Sequence, residues 1–162
     1  MSLPVAILRL AVIVPATSIA LYLSLFLFQR MTPGIDEWRE VARGNAAAGV
    51  VMAAAAAAVA IVLHPIVAAP LIGLDLGAAA LVNALFLEGV RALLGMLLAV
   101  ATVAFAAWLY NVLTRQIDES RQLAQGNLAV GLVQAGVIVS TALLLSAPGA
   151  DLVQALMATF FR

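Results

Sequence analysis

The chain has 162 residues, 65% of them apolar and 10% charged, with a mean hydropathy of +1.15 and eight Arg balanced by eight Asp plus Glu. Soluble domains carry roughly a quarter charged residues, so this composition marks a membrane protein, and a few spans of about 20 residues each use up its length, leaving one transmembrane unit from 1 to 162 and no separate soluble domain. The absence of cysteine excludes disulfides, thiolate metal sites and Cys nucleophiles, a single histidine, His64, excludes a His-based metal cluster within one chain, and zero net charge leaves no polybasic surface for nucleic acid.

The first apolar run, roughly 5–29, is long enough to span. Arg9 lies inside it and no small-residue cleavage site precedes Gln29 and Arg30, so it reads as a retained span and not a leader. A charged phrase follows, Ile35 to Asn45, "IDEWREVARGN". On a helix, Asp36, Arg39, Glu40 and Arg43 fall on one side, and Ile35, Trp38, Val41 and Ala42 on the other. The pattern predicts a short amphipathic helix lying at the interface, with Thr32 as N-cap, Pro33 in the first turn, Trp38 as an aromatic anchor and Gly44 as the stop. Asn45 then caps a second span, roughly 46–66, whose Ala-rich sequence favours close helix packing and which ends at His64, an interfacial residue.

The stretch 67–88 is apolar but broken by Pro70, Gly73, Asp75 and Gly77. It reads as a connector with a short surface helix near 77–87. The third span, roughly 89–113, carries Arg91 near its start, where Glu88 is within pairing distance at i, i+3. Both Arg9 and Arg91 are expected to snorkel toward the interface as structural anchors, or, as a symmetric pair, to form an anion site. A second charged phrase, "IDESRQLAQGN" from Ile117 to Asn127, leads into the fourth span, roughly 127–147. In that span Asn127, Gln134 and Thr141 recur every seven residues and form a polar seam, of which only Asn127 has a polar counterpart in the second span, Asn45. The tail, 149–162, predicts a short amphipathic helix on the membrane surface.

The two phrases answer each other. Sliding the chain by 82 residues aligns Arg9 with Arg91 and Thr32 with Thr114, and nine of fifteen positions in 35–49 are identical in 117–131. The fold class expected is therefore an all-α integral membrane protein of four transmembrane helices, arranged as two parallel two-helix repeats, about 3–66 and about 85–148, with interfacial helices in the hairpin loops.

"MTPGIDEWREVARGNAAAG", then "LHPIVAA", then a second hairpin with "GNLAVG", resembles the YjfL-like bacterial inner-membrane proteins, a domain of unknown function numbered 350. The resemblance covers the chain from the first span through the fourth, and implies the four-span fold with two such hairpins but no enzymatic activity. This chain departs from the family in a longer connector and in the tail.

No catalytic constellation stands out in the sequence, and no cofactor or metal is expected. Two functional readings remain. In the first the protein is an oligomeric scaffold that docks a cytoplasmic or membrane partner through Asp36, Glu37, Arg39, Asp118, Glu119 and Arg121. In the second it is a subunit of a homo-oligomeric ion or small-solute channel, those residues form its mouth, and Asn45, Asn127, Gln134 and Thr141 line its path. Both readings expect lipids and further copies of the chain as partners. More Arg flanks the hairpins (Arg30, Arg39, Arg43, Arg115, Arg121) than the other side (Arg9, Arg91, Arg162), which predicts cytoplasmic hairpins and periplasmic termini in the bacterial inner membrane.

Overall fold

The computed structural model describes residues 3–32, 34–68, 77–114 and 118–160. Within them the chain is helical: α1 (Leu3–Met31), α2 (Glu37–Ala42), α3 (Ala46–Ala68), α4 (Gly77–Leu113), α5 (Glu119–Ala124) and α6 (Leu128–Phe160). Among the described residues α1, α3, α4 and α6 are long and apolar enough to cross a membrane. In hydrocarbon a backbone must satisfy its own polar groups, and a continuous helix does so along its whole length.

Side-chain contacts give the direction of each helix. Arg9, near the start of α1, reaches the Val67 carbonyl at the end of α3 and Glu88 in the first half of α4. At the opposite end Asn111, late in α4, donates to the Met31 carbonyl that closes α1, at 3.4 Å. So α1 and α4 run parallel, α3 runs against them, and both hairpin loops lie at one end. α6 runs parallel to α3, since Gly131 near its start lies on Ala47 near the start of α3. Close to the other end, Ala150 and Val153 cluster with Ile66.

α3 is the central element. Over half of its apolar window is buried, 56%, against 11% for α1, which lies at the edge. α3 packs most extensively on α6, and α1 on α4; α4 also packs on both α3 and α6, while α1 and α6 occupy opposite corners with no substantial contact. The core is made of small side chains, including Ala47, Ala55, Ala58, Ala99, Ala106 and Ala142, all fully buried. Such residues let backbones approach, which matters in lipid because packing contact, not hydrophobicity, draws helices together. The extreme case is Gly131, where an added Cβ would stand 2.8 Å from the Ala47 carbonyl oxygen.

Three expectations are corrected. The stretch 77–87 is not a separate surface helix but the beginning of α4, which runs unbroken for 37 residues. Its Ala84 and Glu88 are buried, and Glu88 finds its charge partners inside the protein. The tail likewise continues α6 through Pro148 to Phe160. Proline here removes a single backbone donor, a loss that a packed membrane helix tolerates, and Ala150 and Val153 beyond it are held by Ile66, Leu94 and Leu98. Third, α2 is capped by Asp36 and not by Thr32. Pro33, Pro70, Gly73, Asp75, Arg115, Ile117 and Arg162 lie outside the described residues.

Candidate functional site

The two hairpin loops are built by the same local rules. Asp36 accepts a hydrogen bond from the Arg39 amide at 3.1 Å, and Asp118 accepts from the Arg121 amide at 3.2 Å, so each short helix begins on an aspartate cap. Each ends where Gly44 or Gly126 takes a positive φ, 83° and 77°, which only glycine adopts without strain. The following asparagine caps the next long helix. Asn45 Oδ1 accepts from the amides of Ala47 and Ala48 at 3.0 and 3.2 Å, and Asn127 Oδ1 from those of Ala129 and Val130 at 3.2 and 3.4 Å.

Each asparagine also spends its amide nitrogen on the loop behind it, Asn45 on Glu40 at 3.1 Å and Asn127 on Gln122 at 2.9 Å. Asn45 alone does more, donating at 2.8 Å to the Leu123 carbonyl of the other loop and so locking the hairpins together.

The acids divide into two kinds. Asp36 and Asp118 are exposed, as are Arg39 and Arg121, and these four remain available at the surface. Glu37, expected among them, is fully buried and receives the Thr32 hydroxyl proton on Oε1, while its Oε2 has no partner among the described residues. Burial pushes the Glu37 carboxyl above its ordinary value, against the lowering effect of the Thr32 hydrogen bond. Glu119 is half-buried and is raised by desolvation in the same way.

Glu119 lines a cavity of about 30 Å³ together with Thr32, Asn111, Ser120, Leu123 and Gln134. That is room for a water molecule among several polar groups. Asn111 and Ser120 were not singled out by sequence reasoning, and Thr32 was singled out only as a helix cap. Their signal was weak, being ordinary polar residues near helix ends that gain meaning only when two loops meet.

The seam residues differ in burial. Gln134 and Thr141 are buried, with 2% and 7% of their surfaces exposed, whereas Asn127 is an exposed cap. Gln134 also lines the cavity at the hairpin end of the bundle. His64 is exposed, and Trp38, 53% exposed, stands out from α2 as an interfacial anchor would.

At the far end Arg9 and Arg91 do not snorkel outward. Both converge on Glu88, Arg9 Nε at 3.1 Å from Oε1 and Arg91 on Oε2, with the three side chains 14%, 12% and 1% exposed. The anion held by the arginine pair is the chain's own carboxylate. Among the described residues no group of three or more His, Cys, Asp and Glu could hold a metal ion.

A family model described as Domain of Unknown Function, DUF350, matches residues 2–148. The chain belongs to this family. The match takes in all four spans and both hairpins and leaves out the end of α6. Neither a curated protein nor a solved structure matches the chain significantly. The DUF350 description assigns no activity, so function has to be argued from the geometry.

Proposed function

We propose that the protein is a homo-oligomeric scaffold of the bacterial inner membrane, built from two parallel two-helix repeats, α1 with α3 and α4 with α6, whose hairpins face the cytoplasm and dock a partner protein. The observation that carries this reading is the doubled hairpin: two loops with matching aspartate caps, glycine stops and asparagine caps present Asp36, Arg39, Asp118 and Arg121 at one end. Both aspartate carboxylates are fixed by backbone hydrogen bonds, so they are held in place before a partner arrives, which lowers the entropic cost of docking. Arginine supports the orientation. Arg30, Arg39, Arg43 and Arg121 lie at the hairpin end, against Arg9 and Arg91 at the other.

The channel reading is favoured by one observation, the buried Gln134 beside a polar cavity that Glu119 also lines. Two variants separate the readings. Asp118→Asn combined with Arg121→Gln should abolish partner capture in a pull-down while leaving thermal stability nearly unchanged, because asparagine still caps α5 and the Arg121 side chain is exposed. Gln134→Leu in liposomes should leave ion permeability at its background level. Intact capture in the loop variant together with a flux that disappears in Gln134→Leu would overturn the scaffold reading in favour of the channel.

A further inference from the structure

The 82-residue correspondence can be laid over burial, and the two sides do not agree. In α3 the positions Ala47, Val51, Ala54 and Ala58 are buried at 0, 0, 7 and 0% exposure. Their counterparts in α6 are Ala129, Val133, Gly136 and Ser140, all exposed, Val133 at 58%. The reverse holds on the opposite faces. Gly131, Ala135 and Ala142 of α6 are buried, while Gly49 is open, with nothing within 4 Å of an added Cβ, and Ala53 and Ala60 of α3 are exposed.

A two-fold axis between the repeats would bury equivalent positions alike, and would pair α1 with α6 as closely as α3 with α4. α3 and α4 pack together and α1 and α6 do not. The relation is therefore head-to-tail: one face of α3 meets a different face of α6, and each helix keeps the other face unused. Interfaces of this kind propagate, because the unused faces at the two edges are complementary by construction.

The loops carry the same asymmetry independently. Asn45 bonds both Glu40 and the Leu123 carbonyl of the neighbouring loop. Asn127 makes the first of these bonds, to Gln122, and is exposed.

We propose that a second copy of this chain docks its α3 on α6, Gly49 and Ala53 of one subunit against Ala129 and Val133 of the next, repeating between subunits the contact that Ala47 and Gly131 make within one. Asn127 then donates to the Val41 carbonyl of the neighbour, the counterpart of Leu123. The inference rests on the two-repeat reading above and adds the surface, the partner and the head-to-tail geometry. The product is a closed ring or a row, not an isologous dimer.

The chain has no cysteine, so engineered thiols report cleanly. Gly49→Cys and Ala129→Cys chains co-expressed in membranes should form a mixed disulfide dimer, the double variant should form a ladder of higher species or a closed ring, and neither single variant should cross-link with itself. Homotypic cross-linking of Ala129→Cys, or no cross-linking in any combination, overturns the proposal. Two leucine variants keep its failure apart from failure of the repeat reading. Gly131→Leu should lower the melting temperature, since its Cβ meets the Ala47 backbone, whereas Gly49→Leu should leave the melting temperature of the subunit unchanged and reduce the subunit count in nanodiscs to one. An unchanged count in Gly49→Leu sinks the docking surface alone; an unchanged melting temperature in Gly131→Leu sinks the internal packing on which it was built.

Discussion

Two buried carboxylates set the behaviour of this protein at the level of single residues. Glu37 is raised by desolvation, so the closed hairpin binds its proton more tightly than an opened one does. Its contribution to stability is then complete below the ordinary carboxylate pKa and is lost as pH rises through the raised value. Hydrogen exchange of the α2 amides, corrected for intrinsic rate, should show protection that falls as pH climbs from that ordinary value toward neutrality. Glu37→Gln should flatten the profile and keep the protection; a wild-type profile that rises with pH would contradict the argument. Glu88 works by pairing. It is shared by Arg9 and Arg91, so Glu88→Gln removes the carboxylate from both pairs and should cost about 3 kcal/mol, the lower end for breaking a buried ion pair, read as a lower unfolding midpoint in detergent. Replacing Arg91 alone leaves the Arg9 pair in place and should cost less. The Glu88 to Arg91 spacing was legible from i, i+3 periodicity. The bond to Arg9 was not, because it joins positions 79 residues apart and needs the fold to bring them together.

At the scale of elements, the hairpins were largely readable. Gly44 and Asn45 announce a stop and a cap through glycine's tolerance of positive φ and asparagine's short acceptor, and both do what their chemistry predicts. Thr32 misled because two capping residues compete within five positions. Asp36 takes the cap, while the Thr32 hydroxyl bonds the Phe28 carbonyl and Glu37 and so ties off the end of α1. Asn45→Ala removes a cap, a bond to its own loop and an inter-loop bond, Asn127→Ala a cap and a bond to its own loop. The first should therefore cost about 1 kcal/mol more than the second, the usual contribution of one hydrogen bond. Equal shifts in the two unfolding midpoints would show that the bond to Leu123 contributes nothing. The lengths of α4 and α6 escaped sequence reasoning for a different reason. Pro148 with Gly149 is read as a break by rules that hold in water, whereas α6 runs through both, and α4 carries Glu88 within it because Arg9 and Arg91 pair with that carboxylate.

For the whole molecule, four apolar helices follow from composition and periodicity alone, but the way they pack does not. Which faces of α3 and α6 meet depends on complementary surfaces of small residues, and alanine-rich helices offer several such faces with nearly the same pattern. Sidedness is open to direct measurement. With cytoplasmic hairpins, a membrane-impermeant thiol reagent added outside intact spheroplasts should label Asp151→Cys and spare Ser120→Cys, and the reverse pattern would invert the topology. Asp151 is the better site than neighbouring Gly149, whose side-chain space is filled by Leu98. The long helices have one more consequence. At 1.5 Å per residue the 32-residue segment of α4 from Val82 to Leu113 extends for about 48 Å, against a hydrocarbon thickness of about 30 Å. α3, with 23 residues, fits that thickness with little to spare. The bilayer around this protein therefore meets a body of unequal height. On the side away from the hairpins, Val82, Phe86 and Leu152 remain exposed on helices that outrun the lipid. Tilting shelters part of that surface, and local thickening of the membrane or contact with another protein shelters the rest. Either way the protein prefers thick membrane to thin, and lipid chain length becomes a variable that acts on it.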